Sequence, residues 1–148
     1  MDLILWRHAE AVDSTPDQAR ELTAKGIKQA QKIAAFLHQH LPDNYLILVS
    51  PTTRTQQTAA ALDHNFMLSA AIAPGTSIQA VLEEAHWPYA EGTVLVVGHQ
   101  PTLGEIAAQL LGCKGSSLSI KKGAIWWFSL SEGAERVTLR LVIAPEFL

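Results

Sequence analysis

Short runs of hydrophobic residues recur along this chain, and each is followed at once by polar residues. The most apolar runs are rich in Val, Ile and Leu. Unbroken runs of this length are typical of strands that are buried on both faces, as in a parallel sheet covered by helices. We predict strands over residues 2–7, 45–49, 66–68 and 93–98, of which the third is the weakest.

Between these strands, hydrophobic residues recur at helical spacing. A first helix is predicted after Thr23, which suits an N-cap, and it ends before the Pro-Asp-Asn sequence at 42–44. The apolar positions of this helix are Ile27, Ala30, Ile33, Ala34 and Leu37. A second helix is predicted to open at Ser50-Pro51 and to run to about Leu62, because Ser can cap a helix and Pro suits its first turn.

Two further helices follow in the second half of the chain. Thr76 or Ser77 would cap one that runs through Glu84, and Pro101 would begin another that ends near Gly112. Residues 10–20 are polar and contain Pro16, so we predict a loop there.

The alternation of strands and helices predicts an α/β fold. We expect a three-layer sandwich with a mostly parallel central sheet flanked by helices. Two antiparallel strands would complete it, over 124–130 and 136–143, and Trp126 and Trp127 would face opposite sides of the sheet. We predict a single domain over 1–148 with no large lid, since the segment between Arg54 and His99 is consumed by short elements.

Chemically useful side chains follow three of the predicted strands. Arg7 and His8 end the first, Arg54 comes shortly after the second, and His99 follows the fourth. The ligand crevice of a parallel sheet lies just beyond the carboxyl ends of its strands. Two guanidinium groups and two imidazoles gathered there predict a phosphate site.

Each of these residues has a chemical role to offer. A neutral His8 has a nucleophilic nitrogen and can form a covalent phosphoenzyme, although a lone histidine is more often structural. Arg7 and Arg54 can present bidentate N–H forks to phosphate oxygens. A protonated His99 would donate to a non-bridging phosphate oxygen.

Composition narrows the classes of function. The net charge of −3 gives no general basic surface, which argues against a nucleic-acid partner. No segment approaches the roughly 20 apolar residues that cross a bilayer, so we expect no membrane association and a cytoplasmic location. The single cysteine, Cys113, excludes an internal disulfide, and we expect its thiol to be buried or half-buried.

A metal site built on His8 and His99 is disfavoured. The chain has no pair of histidines at i, i+4 spacing in a zinc motif, and Arg7 and Arg54 would repel the cation. We therefore predict neither a metal nor another cofactor.

Three motifs together resemble those of the histidine phosphatase superfamily, whose fold is that of phosphoglycerate mutase. They are RHAEA at 7–11, SPTTRTQQTA at 50–59 and VVGHQP at 96–101. The short chain and the Arg-His-Ala variant bring it nearest to SixA-type phosphohistidine phosphatases. The resemblance implies that His8 is the nucleophile, and that Arg7, Arg54 and His99 hold the phosphoryl group as its binding and catalytic partners.

The sequence departs from this family where a general acid is expected. Gln100 follows His99 in place of an Asp, and no carboxylate occurs between His64 and Leu82. Glu10 is the remaining candidate proton donor. A weak set of acids suits phosphohistidine, because an imidazole that already carries a ring proton leaves without further protonation.

The sequence thus predicts a metal-independent phosphatase that acts on phosphohistidine in a phosphotransfer or carrier protein. Two alternatives remain open. One is a phosphatase of small phosphomonoesters within the same superfamily, and the other is a module that binds phosphohistidine without turnover. The oligomeric state is not predicted.

Overall fold

A six-stranded sheet forms the centre of the protein in a computed structural model that describes all residues, 1–148. The strands are β1 (Asp2–Arg7), β2 (Tyr45–Val49), β3 (Met67–Leu68), β4 (Thr93–Gly98), β5 (Ile125–Ser129) and β6 (Thr138–Ile143). Their order across the sheet is β3-β2-β4-β1-β5-β6. The first four run parallel to one another, while β5 and β6 are antiparallel to their neighbours. The predicted α/β fold is confirmed.

Four helices cover the sheet. They are α1 (Ala24–His40), α2 (Thr53–Ala60), α3 (Ile78–Glu84) and α4 (Thr102–Leu110). Three short 3₁₀ helices lie between or after these elements, at Asp17–Ala19, Ala70–Ile72 and Pro145–Phe147. No helix is at once long enough and apolar enough to cross a membrane.

The sheet is buried on both faces, which explains the unbroken apolar runs. Leu3 and Leu5 of β1 pack with residues of α3 and α4, while Ile4 and Trp6 pack on the other side with residues of α1 and α2. Alternate side chains of a strand point to opposite faces, so a strand between two helical layers needs apolar residues at every position. This arrangement confirms the predicted three layers.

Helix α1 begins where the sequence predicts. The Thr23 hydroxyl accepts a hydrogen bond from the Gly26 amide at 3.0 Å, as an N-cap does. Ile27, however, is 48% exposed, so it does not lie on the inward face although it fits the predicted apolar spacing. The inward stripe is instead formed by Gly26, Ala30, Ile33, Ala34 and Leu37.

Two predicted helix starts are displaced in the structure. Helix α2 begins at Thr53 rather than at Ser50, and the Ser50 side chain does not cap it. Pro101 occupies the N-cap position of α4 rather than its first turn. Of the two predicted N-caps of α3, Thr76 and Ser77, the structure has Ser77, whose hydroxyl accepts a hydrogen bond from the Ala80 amide.

The C-terminal strands are paired as predicted but differ in detail. Strand β6 begins at Thr138, and a register shift opposite Trp127 and Phe128 leaves Arg140 as an extra residue. This β-bulge interrupts the strict alternation that the sequence predicts. Trp127 is buried, and Trp126 is only partly so. Cys113 is exposed, contrary to expectation, since it lies in the turn after α4.

The register of the parallel strands brings their carboxyl ends together. Arg7 pairs with Gly98, and Val49 pairs with Val97. Just beyond these pairs, the His8 amide donates to the Gly98 carbonyl and the Ser50 amide donates to the Val97 carbonyl, each at 3.1 Å. The residues that follow β1, β2 and β4 therefore meet at one edge.

Replacing Gly26 by Ala tests how closely α1 packs on the loop after β1. A Cβ at position 26 would overlap the carbonyl oxygen of Glu10. Gly to Ala in a helix normally stabilises by up to about 1 kcal/mol. Here we expect a loss of about 1–3 kcal/mol, the usual cost of overpacking. Urea denaturation of Gly26→Ala beside the exposed Lys28→Ala measures it, and a gain in stability for Gly26→Ala would contradict the packing described.

Candidate active site

His8 is buried at the end of β1, with its orientation fixed by the next residue. Its Nδ1 lies 2.7 Å from the carbonyl oxygen of Ala9. A carbonyl can only accept, so Nδ1 carries the proton and donates it there. The other nitrogen, Nε2, is left with its lone pair, which is the form that a nucleophilic histidine needs.

The surroundings of His8 keep its ring neutral. Burial lowers its pKa to about 4, and the charges of Arg54, Arg7 and Arg20 add to this effect against the opposing hydrogen bond to Ala9. At neutral pH the imidazole is therefore unprotonated at Nε2 and available for attack.

Arg54 is buried in the first turn of α2 and contacts two parts of the site. Its Nη1 donates to the backbone oxygen of Asp17 at 2.9 Å, and its Nη2 lies 3.2 Å from Asp17 Oδ2. The same Nη2 is 3.4 Å from Nδ1 of His99. The predicted approach of Arg54 to His99 is thus observed, and the His99 ring centroid lies 5.4 Å from that of His8.

Arg7, at the end of β1, is held by the segment that precedes β5. Its Nη1 donates to the Ile120 carbonyl at 2.7 Å, and partial burial lowers its pKa. The Nε–H groups of Arg7 and Arg54 are both buried and have no acceptor within the protein. Buried donors normally find a partner, so each guanidinium has hydrogen-bonding capacity left for an anion.

Ser50 belongs to the site, although the sequence suggested only a helix cap. Its fully buried hydroxyl lies 2.7 Å from Nε2 of His99. Arg54 can only donate to Nδ1 of His99, so Nε2 carries the ring proton and donates it to Ser50. Ser50 follows β2 just as His8 follows β1. This equivalent position at a strand end is the feature of the sequence that indicates a place for Ser50 in the site.

His99 is neutral as long as no anion offsets the nearby cations. Burial lowers its pKa to about 3, with further lowering by Arg54 and a partial opposing effect of Asp17. The predicted protonated form therefore requires a bound anion, because a phosphoryl group would add negative charge beside the ring and raise its pKa.

Asp17 is a second residue that sequence reasoning missed. Its carboxylate, 59% exposed, lies between Arg54 Nη2 and Arg20 Nη1, at 3.2 and 3.3 Å. Slight burial raises its pKa, but the hydrogen bonds and charges of Arg20 and Arg54 outweigh this and hold the pKa below its usual range. Asp17 is ionised and acts as a counter-ion to Arg54. No sequence signal set it apart from the other polar residues of its loop.

The polar residues of the middle motif fasten the loop that follows His8. The Thr58 hydroxyl accepts from the Ala9 amide at 3.0 Å and donates to the Arg54 carbonyl at 2.8 Å. Gln57 accepts from the Leu22 amide at 2.7 Å. Helix α2 thereby holds Arg54 and the His8 loop in a fixed relation.

Glu10 makes local contacts. Its Oε2 accepts from the Thr23 hydroxyl at 3.3 Å, and its backbone amide donates to Gln29. No hydrogen bond joins its carboxylate to His8, Arg54 or His99, so its role as proton donor stays a prediction. The Gln100 side chain, which replaces the family's Asp, bonds the Leu118 carbonyl and the Gly104 amide.

Comparisons with known proteins agree with this geometry. The sequence profile of the histidine phosphatase superfamily (branch 1) matches residues 3–76. The phosphohistidine phosphatase SixA homolog of Haemophilus influenzae is 35% identical over 128 residues, which cover 76% of this chain and 78% of that protein.

Solved structures are similar over nearly the whole chain. The protein histidine phosphatase SixA complexed with tungstate has a TM-score of 0.84 at 25% identity and covers 99% of both chains. The structure of a Nakamurella multipartitia protein assigned as a phosphohistidine phosphatase SixA has a TM-score of 0.81 at 28% identity. The match covers 97% of this chain and 95% of that one. The chain belongs to the histidine phosphatase superfamily, and within it this protein is SixA-like in sequence and fold.

Proposed function

We propose that this phosphatase hydrolyses phosphohistidine on a phosphotransfer or carrier protein, without a metal, through a phosphoenzyme on His8. The observation that carries the proposal is the state of His8. Its ring is neutral, its proton is held at Nδ1 by Ala9, and its Nε2 is free beside Arg54 and His99. A module that only binds phosphohistidine has no need of a nucleophile prepared in this way.

In the first step, Nε2 of His8 attacks phosphorus and forms a new P–N bond. The bond between phosphorus and the substrate imidazole breaks, and that ring keeps the electron pair. If the substrate ring already carries a proton on its other nitrogen, it leaves as neutral imidazole, and no enzyme acid is required. The attack exchanges one imidazole for another, so the two sides of the step are chemically alike.

Water completes the reaction. It attacks the phosphorus of phospho-His8, the P–N bond breaks, and Nε2 recovers its electron pair while the water protons go to phosphate and solvent. The hydrogen bond from Nδ1 to the Ala9 carbonyl keeps a proton on the ring throughout, so His8 also leaves as neutral imidazole. Arg7, Arg54 and a His99 protonated by the bound anion would stabilise the phosphoryl oxygens in both steps.

The acid–base groups near the site favour phosphohistidine over alkyl phosphates. An alkoxide leaving group needs a proton, which a positioned acid supplies for about 10²–10⁴-fold in rate. Asp17 is ionised, Gln100 cannot donate an acidic proton, and Glu10 accepts a hydrogen bond from Thr23. The Nε2 proton of His99 is donated to Ser50. The cationic donor set also repels a metal ion, which supports metal-independent chemistry.

Phosphate release from a histidine-phosphorylated carrier protein, measured with a chelator present, tests the function. We expect release by the native chain, none by His8→Ala, and an acid-labile phosphoenzyme on the native chain only. Phosphoserine and a sugar phosphate serve as comparison substrates. Faster turnover of these esters than of phosphohistidine would establish the small-molecule alternative, and tight binding without release would establish the binding module.

Replacing Ser50 by Ala tests the positioning of His99. The variant leaves the buried Nε2–H of His99 without an acceptor, which costs about 1–3 kcal/mol when a partner is removed. We expect kcat to fall about tenfold or more, with a smaller change in KM. Ser129→Ala, which removes a hydrogen bond to Asp2 at the other end of β1, controls for lost stability. An unchanged kcat in Ser50→Ala would show that His99 does not depend on this bond.

Replacing Asp17 by Asn tests its role as counter-ion to Arg54. Asparagine keeps an oxygen for Arg54 but removes a negative charge that repels the phosphoryl group. We expect the inhibition constant of inorganic phosphate to fall about fivefold, which corresponds to about 1 kcal/mol for partly screened charges. Asp13→Asn, in the same exposed loop, is the matched control. Weaker phosphate binding in Asp17→Asn would mean that the carboxylate chiefly holds Arg54 in place.

A further inference from the structure

A basic groove opens beside Arg7, the one residue that it shares with the phosphoryl site. It has a volume of about 370 Å³, and its charged lining residues are Arg7, Lys25, Lys121, Lys122 and Glu146. The chain as a whole carries a net charge of −3, so this excess of cations is a local feature. Lys121 pairs with Glu146 at 2.8 Å, while Lys25 and Lys122 form no ion pair.

An apolar surface continues this groove. Trp126, Val142 and Phe147 line an adjoining hollow of about 490 Å³, and Phe147 is 77% exposed. The two hollows share Lys121 and Glu146 as lining residues, so they form one surface, which we call the docking groove.

Two lysines of the docking groove, Lys121 and Lys122, lie in a segment whose backbone is bonded to the end of β1. The Ile120 carbonyl accepts from Arg7 Nη1 at 2.7 Å, and the Gly123 amide donates to the carbonyls of Arg7 and His8, each at 3.1 Å. Lys121 and Lys122 lie between these two anchors. Gly123 has φ +76°, a conformation that glycine adopts readily, and its Trp6 contact secures the same turn. The backbone that carries Lys121 and Lys122 is therefore held next to the strand end from which His8 projects.

A phosphoryl group by itself does not require this surface. Lys25 and Lys122 are exposed and come in addition to the two arginines of the phosphoryl site, and the apolar wall offers nothing to an anion. A protein surface with acidic residues around an apolar patch matches both parts, since opposite charges steer the encounter and exposed aromatic residues anchor it.

We propose that the docking groove binds the protein that carries the phosphohistidine, through acidic and apolar residues next to the modified histidine. This inference rests on the proposed function for the identity of the phosphorylated residue. The groove would then select protein-borne phosphohistidine, while the phosphoryl site alone handles the free amino acid.

The test compares two substrates with a charge-reversed enzyme. Lys25→Glu combined with Lys122→Glu is assayed on a phosphotransfer domain whose phosphohistidine is flanked by acidic residues, and on free phosphohistidine. Lys32→Glu combined with Lys114→Glu, two exposed lysines outside the groove, makes the same change in net charge and is the matched control. We expect kcat/KM for the domain to fall about tenfold or more through KM at low salt, and to change less than twofold for the free amino acid. Neutralising the acids of the domain should remove the difference.

Equal losses on both substrates, or no loss on the domain, would overturn the docking groove while leaving the phosphohistidine reaction intact. A native enzyme that is inactive on both substrates would instead contradict the proposed function. In that event, the affinity of the phosphorylated domain for His8→Ala, with and without the two lysine reversals, still decides the docking question. Equal affinities would overturn the proposal, and a weakened affinity would support it.

Discussion

The parallel pairing of β1, β4 and β2 is the constraint on which the site depends. Opposite residues in this register bring Arg7 beside Gly98 and Val49 beside Val97. Backbone hydrogen bonds continue one residue further, from His8 and Ser50 to β4. Because main-chain hydrogen bonds set these positions, the backbone places His8 and His99 next to each other and leaves them little conformational freedom.

Concentrating cations at this edge has an electrostatic consequence. Burial lowers the pKa of His8 and of His99, and the charges of Arg54 and Arg7 lower both further, so both imidazoles are neutral. For His8 this neutrality leaves Nε2 with the lone pair that the proposed nucleophilic attack needs. His99, by contrast, becomes protonated only once an anion is bound beside it and raises its pKa. The protonated ring can then stabilise that anion. Asp17 balances Arg54 at the rim and competes with any anion that binds there.

The interactions around His8 also bear on the missing general acid. In the proposed reaction, the proton that His8 Nδ1 donates to the Ala9 carbonyl lets His8 leave phosphorus as neutral imidazole. The imidazole of the proposed phosphohistidine substrate has the same property when its ring is protonated. An enzyme that transfers a phosphoryl group between two imidazoles has little use for a strong acid, and Asp17, Gln100 and Glu10 are each engaged in other contacts.

The sequence by itself determined the α/β class, the strand positions and the meeting of Arg7, His8, Arg54 and His99, because buried strands are marked by unbroken apolar runs and their ends by polar motifs. Local reasoning failed where a long-range contact decides. Ser50 has the chemistry of a helix cap, yet it bonds a histidine 49 residues away. Ile27 fits an apolar stripe but faces solvent, because the close approach of Glu10 to Gly26 sets the rotation of α1. The contact between Asp17 and Arg54 and the docking groove joined to Arg7 also required the tertiary structure. Each of these features joins segments that are distant along the chain, and a local sequence pattern does not predict which distant segments come into contact.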